Sequence, residues 1–352
     1  MEKIKQHIPD NYASLKKHEG HAVMNNINLA LDKDFEEFLI EKEFVQTHMA
    51  YHKNGSLTPQ FLACLNQKDI AVQCTALCKA KCKFCCWFGT SLDNLHDRSM
   101  LPEIVRVGNR RKEDIHFGQL EFYFNTINYK MNNDNCYNMV YLEPFDDFNR
   151  TLPALTALSN TKSKILMYTN AISLTDEMMQ EMIDKKIYID ELRINIGPLR
   201  EYSEKKEILF QRWVNNIKKL KTIAGVTFLE SPAIPDTLEW VKNKNKIITN
   251  IFDGFMISEL HLRGESNIKN WIATEPLIQY FGAQIIPLRS KIYMKELINL
   301  VDHDNKKIVI QDSRIKLVRD VSERGVICKD VYNNFDRKEF LNLCEYIKGS
   351  DS

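Results

Sequence analysis

Apolar positions along the chain fall into two alternating textures. Short β-rich runs occur at about 69–76, 138–143, 164–169, 189–196, 224–230 and 254–262. Segments with a helical period lie between them. In 175–184, Thr175 is placed to cap a helix whose first turn carries Asp176 and Glu177, where negative charge suits the helix dipole. In 204–221, Leu209, Trp213, Ile217 and Leu220 share one helical face. In 236–245, Asp236 follows Pro235 and leads a helix carrying Leu238 and Trp240. Strands alternating with helices predict right-handed βαβ units and a parallel sheet. The long gap after the first run contains Phe117, Phe122, Tyr123, Phe124 and Tyr129, and this aromatic stretch predicts at least one further helix.

The two ends have a different texture. Leu31, Phe35, Phe38 and Leu39 repeat at helical spacing, so residues 1–66 are expected to form a mostly helical extension, with a Gly- and Pro-bearing loop at 52–60. After residue 283, AQIIPLR, KKIVIQD and RIKLVRD read as short strands around a helix at 291–302, with a closing helix near 336–348. The expected organisation is a helical extension over 1–66, an α/β domain over 67–282 and an α+β cap over 283–352.

Composition narrows the class. Of the 352 residues, 44% are hydrophobic and 27% charged, which excludes global disorder. Lys and Arg number 48 against 47 acids, a formal net charge of +1 that gives no electrostatic footprint for nucleic acid or an anionic membrane. No apolar run approaches a bilayer span, and the opening MEKIKQHIPDNY lacks the apolar stretch of a secretory leader. A cytoplasmic, reducing location is therefore expected.

In that setting the cysteines point to metal. Cys74, Cys78, Cys82, Cys85 and Cys86 crowd into CTALCKAKCKFCCW. Soft thiolates select iron–sulfur centres or zinc. Three of them, spaced as Cys78-x3-Cys82-x2-Cys85, can hold three irons of a 4Fe–4S cluster and leave the fourth open. A fourth ligand from Cys74 or Cys86 would close the site and give a zinc or electron-transfer centre.

The CxxxCxxC spacing, the aromatic Phe84 before its last cysteine, the preceding strand and the βα series that follows resemble the radical S-adenosylmethionine superfamily over about residues 68–265. The resemblance implies a partial (β/α)6 TIM-like barrel within the α/β class. It also implies a 4Fe–4S cluster on Cys78, Cys82 and Cys85, with S-adenosylmethionine bound at the unique iron and cleaved to a 5′-deoxyadenosyl radical that abstracts a substrate hydrogen. By the same resemblance the Phe84 backbone approaches the adenine, and Cys74 and Cys86 are packed thiols.

Later motifs match in part. The stretch Tyr141-Leu142-Glu143-Pro144 is similar to the family's Gly-Gly-Glu-Pro, with the Glu and Pro kept and both glycines lost. The resemblance gives Glu143 the amino group of S-adenosylmethionine, sets Thr169 and Asn170 near the cofactor, and gives Asn195 its ribose. Arg200 and Lys206 are weak matches to the basic residue that meets the carboxylate.

Asp146 and Asp147 face substrate or cap a helix on this reading, and His261 and Arg263 are placed to bind a carboxylate or phosphate or to form a salt bridge. His18-Glu19-Gly20-His21 departs from the HExxH zinc spacing and is expected to be a solvated loop. Cys328, in SERGVICKD, is a candidate thiol donor that quenches a substrate radical, set against a buried apolar thiol. The implied partners are a peptide or small-metabolite substrate and a reductant such as flavodoxin or ferredoxin. Two alternatives remain open. One is an activase of a glycyl-radical enzyme, although such chains tend to be shorter with the motif nearer the start. The other is a non-catalytic iron–sulfur or zinc protein that binds a partner through residues 1–66.

Overall fold

A computed structural model of the chain describes residues 15–18, 21–25, 29–47, 50–55, 58, 68–75, 77–80, 82, 101, 103–108, 113–131, 135–139, 142–161, 163–196, 206–260, 277–280, 284–303 and 305–312. In chain order its elements begin with β1 (Leu15–His18), β2 (His21–Asn25), α1 (Leu29–Glu41), β3 (Val45–Gln46) and β4 (Tyr51–Lys53). Next come β5 (Asp69–Gln73), β6 (Ile104–Val107), β7 (Glu113–His116) and α2 (Leu120–Lys130). The central units are β8 (Cys136–Met139), α3 (Phe148–Asn160), β9 (Lys164–Thr169), α4 (Asp176–Asp184), β10 (Ile189–Asn195), α5 (Lys206–Leu220), β11 (Ala224–Pro232), α6 (Pro235–Ile251) and β12 (Gly254–Ser258). The last are β13 (Leu277–Tyr280), β14 (Gln284–Pro287), α7 (Ser290–Val301) and β15 (Lys307–Gln311).

The six β-rich runs overlap β5, β8, β9, β10, β11 and β12, which pair in parallel in that order. The second, expected at 138–143, is displaced, since β8 is Cys136–Met139 and Glu143 lies in the turn beyond it. Strand order that follows chain order, with right-handed crossovers, winds the helices onto one face of the sheet. The alternation in β10 shows the two faces. Leu192 and Ile194 join Ile165, Met167, Leu229 and Ile257 in the apolar layer beneath α3 to α6, where Leu155, Leu158, Met182, Trp213 and Ile217 meet them. Glu191 and Arg193 belong to the opposite face, where Phe228, Met256 and Val309 form a smaller cluster with Ala50. The sheet is open. Its eleven described strands run in the order β3-β4-β15-β12-β11-β10-β9-β8-β5-β6-β7, and β3 and β7 end it without pairing to each other.

Three expectations are corrected. The KKIVIQD strand, assigned to a separate C-terminal cap, is β15, which pairs in parallel with β12 and extends the parallel series to seven strands. Residues 15–53 are not mostly helical. Alongside α1 they form the antiparallel hairpin of β1 and β2, and the short β4 pairs antiparallel with β15. His18 and His21, expected in a solvated loop, are the paired end residues of the two strands of that hairpin. In the lead-in, strand pairing joins segments more than two hundred residues apart, as β2 with β13 and β4 with β15, and a local period carries no information about a partner so distant. No helix among the described residues is long and apolar enough to cross a membrane.

Candidate functional site

The carboxy ends of β5, β8 and β9 meet around the first cysteines. β5 stops at Gln73. The next residue, Cys74, is buried, and burial pushes its thiol far above the ordinary range. Cys78 and Cys82 follow on an extended loop and are half-buried. The chain thus separates a packed thiol from two accessible ones. Cys85, Cys86 and Phe84 lie outside the described residues, as do Arg200, His261, Arg263 and Cys328. Among the described residues no three His, Cys, Asp or Glu side chains gather in metal-binding geometry.

The turn after β8 holds this loop. Leu142, where the sequence resemblance expects a glycine, has a φ of 62°, the left-handed region that a glycine would enter without strain. The turn presents Glu143 and then a short 3-10 segment, Pro144–Asp147. The Glu143 N–H donates to the Leu77 carbonyl at 3.1 Å. The Thr75 hydroxyl donates to Asp147 Oδ2 at 3.1 Å, and the Lys79 N–H donates to Asp146 Oδ2 at 2.6 Å. Asp146 and Asp147 therefore bind the cysteine loop. Asp147 precedes α3 with no capping bond from its side chain to that helix. The sequence missed this role, and its signal was the pair of acids one residue beyond Glu143-Pro144.

Glu143 is 1% exposed. Its Oε1 accepts from the Thr169 hydroxyl at 2.5 Å and from the Phe145 N–H at 3.3 Å. Its Oε2 accepts from the Asn170 N–H at 2.6 Å. Burial raises its carboxyl from 4.5 to about 7, against the lowering effect of the Asn170, Thr169 and Phe145 donors, while the nearby Asp146 charge adds to the rise. The structure thus brings Glu143, Thr169 and Asn170 together through bonds within the chain. Asn170 Oδ1 accepts from the Ile172 N–H, and Ala171 between them has a φ of 58°. Two left-handed non-glycine residues at adjacent strand ends mark a locally strained rim, the kind of strain that clusters at functional sites. Asn195 ends β10, beside Glu230 of β11.

A buried charge network lies below Asn195 on the same face of β10. Arg193 donates to Glu191 at 2.7 Å, contacts the Tyr168 hydroxyl, and lies 3.8 Å from Glu230. Thr58 of the lead-in donates to the second oxygen of Glu191. Sequence inspection passed over this network, whose signal was the two charges alternating with apolar residues in DELRIN.

No family model matches the sequence, and no curated relative does. Among solved structures, SuiB from Streptococcus suis bound to S-adenosylmethionine matches with 13% identity and a TM-score of 0.41, over 70% of this chain and 50% of that one. SuiB bound to precursor peptide SuiA matches at 12% and 0.39, over 89% and 60%. Methylornithine synthase (PylB) matches at 12% and 0.39, over 90% and 92%. The chain spans half to three-fifths of the length of SuiB in these matches. Likeness at this level assigns no activity to the chain.

Proposed function

We propose that this chain is a radical S-adenosylmethionine enzyme acting on a peptide or small metabolite. The observation that carries the reading is the loop beyond β5, where Cys78 and Cys82 are half-buried thiols while Cys74 is sealed in the core. Two accessible soft ligands on a loop bonded to the next strand's turn suit a metal–sulfur centre, and the buried, hard-to-ionise Cys74 thiol does not. With Cys85 from the sequence spacing, these residues would hold a 4Fe–4S cluster. The chemistry supplied there, when cluster and S-adenosylmethionine are bound, is reductive cleavage to a 5′-deoxyadenosyl radical that abstracts a substrate hydrogen. An external reductant such as flavodoxin or ferredoxin would deliver the electron.

The chain's own part is binding and shielding. Glu143 has one acceptor position left on Oε2 beyond its three internal donors, and an ammonium is the partner it would take there. Thr169 and Asn170 fix that carboxylate, and Asn195, at the end of the neighbouring strand, would take the ribose. Phe84 would meet the adenine, and Cys328 would return a hydrogen atom to a substrate radical. The test is anaerobic reconstitution followed by iron analysis and 5′-deoxyadenosine detection with dithionite. Cys78→Ala, Cys82→Ala and Cys85→Ala should each lose iron and all cleavage, while Cys74→Ala keeps the cluster spectrum. An indispensable Cys74 would overturn the open-site reading.

One observation favours a second reading, a non-catalytic iron–sulfur or zinc protein. Glu143 is engaged by its own chain on both oxygens, as a purely structural carboxylate would be. Full metal loading without 5′-deoxyadenosine would select it.

A further inference from the structure

We infer that Asp146 is a positioning residue that sets the cysteine loop before metal enters, an inference that rests on Cys78 and Cys82 being metal ligands. The Lys79 N–H, one residue past Cys78, donates to Asp146 Oδ2 at 2.6 Å. The Ser173 hydroxyl donates to Oδ1 at 2.5 Å, so the loop after β9 fixes the carboxylate from its other side. The Asp146 side chain is 1% exposed, whereas that of Lys79, whose Nζ lies 3.8 Å away, is 78% exposed. The ammonium is thus open to screening by salt, and the backbone bond is the durable contact.

The neighbouring bonds give the contact its meaning. Leu77 accepts from the Glu143 N–H, and Lys79 donates to Asp146. Cys78 lies between these two tethers. A thiolate carried by an untethered loop must be ordered when metal binds, and that ordering weakens binding. A tether formed on folding removes the penalty in advance. A carboxylate accepting from N–H makes a charge-assisted bond, stronger than a neutral one. Asp146 thus acts through Cys78 and touches no reacting atom.

The test uses the full chain, purified without metal, with Asp146→Ala, Asp146→Asn and Ser173→Ala. An asparagine can accept from Lys79 and donate to Ser173, so it keeps both contacts without the charge. Two quantities are read: amide hydrogen exchange at Lys79, which involves no metal, and cobalt(II) affinity from thiolate-to-cobalt absorption. In Asp146→Ala, protection at Lys79 and cobalt(II) affinity should each fall about tenfold, the equivalent of one such bond. Asp146→Asn should stay within about threefold of the parent protein.

Unchanged exchange or affinity in Asp146→Ala overturns the inference. So does an Asp146→Asn variant that falls as far as Asp146→Ala, since the effect would then be charge alone. Should Asp146→Ala fail to fold, Ser173→Ala decides. A smaller loss of both quantities supports the inference, and no loss overturns it. If cobalt(II) binds undiminished to Cys78→Ala and Cys82→Ala, the metal reading itself has failed, whatever exchange shows at Lys79.

Discussion

Glu143 combines two opposed influences at one side chain. Three donors favour its ionised form, yet burial outweighs them and lifts the carboxyl to about 7. A carboxyl raised on folding holds its proton more tightly in the native state than in the unfolded one. Its contribution to stability is fully present below about 4.5 and is lost as pH rises through about 7. Glu143→Gln has nothing to titrate there. The difference in Tm between the parent protein and Glu143→Gln should therefore shrink across that window, and parallel curves would show that Glu143 does not titrate in it. The cysteines allow a separate measurement at the same scale. Iodoacetamide on the native metal-free protein should label Cys78 and Cys82, with Cys74 labelled only after denaturation, because the residue is 4% exposed and its thiol is pushed far up. Peptide mapping of the alkylated protein reads the result, and early labelling of Cys74 would contradict its sealed position.

At the scale of elements, strand approach is set by a few small residues. A Cβ on Gly254, the first residue of β12, would run into the Lys307 carbonyl and the Phe228 ring, so glycine lets β12 lie between β11 and β15. Gly254→Ala is expected to destabilise the protein by about 1–3 kcal/mol through overpacking, read as a lower urea midpoint with unchanged slope. An unchanged midpoint would mean that the strands can part without loss.

The same scale shows what the sequence could convey. β9 to β12 were legible because each is largely buried and reads as a short apolar run, and their parallel order followed from the helices between them, whereas β8 begins two residues before the run expected at 138–143. The cysteine loop was legible because ligand spacing is local. The role of Asp146 was not, because it depends on which loop lies opposite. Nor was the contact of Thr58 with Glu191, which joins residues 133 positions apart. Leu142 illustrates a third case. The sequence showed a lost glycine, but the left-handed backbone that persists there is visible in the structure alone.

Across the whole molecule, the lead-in and the segment after 283 act as one support for the sheet's far edge. Lys295 pairs with Asp34 at 2.7 Å, and Lys53 pairs with Asp302 at 2.7 Å. At the centre of this support is Lys291, in the first turn of α7. Its ammonium lies 3.0 Å from Glu259, which follows β12, and 3.3 Å from Asp312, which follows β15, with the Phe35 ring of α1 at 4.9 Å. The Glu259 and Asp312 side chains are 0% and 1% exposed, so each depends on a partner inside the protein to offset its lost hydration. Ser290 donates to the other oxygen of Glu259 but brings no charge. Removing the ammonium alone should therefore be far more damaging than removing all three charges together. Lys291→Met is expected to cost about 3–5 kcal/mol, the usual result of removing one partner of a buried ion pair. Adding Glu259→Gln and Asp312→Asn to Lys291→Met should recover most of that loss, since amides can be buried without a counter-ion when hydrogen-bonded. Urea unfolding of the parent, single and triple variants measures both steps. A Lys291→Met variant within about 1 kcal/mol of the parent would show that Glu259 and Asp312 do not depend on this ammonium.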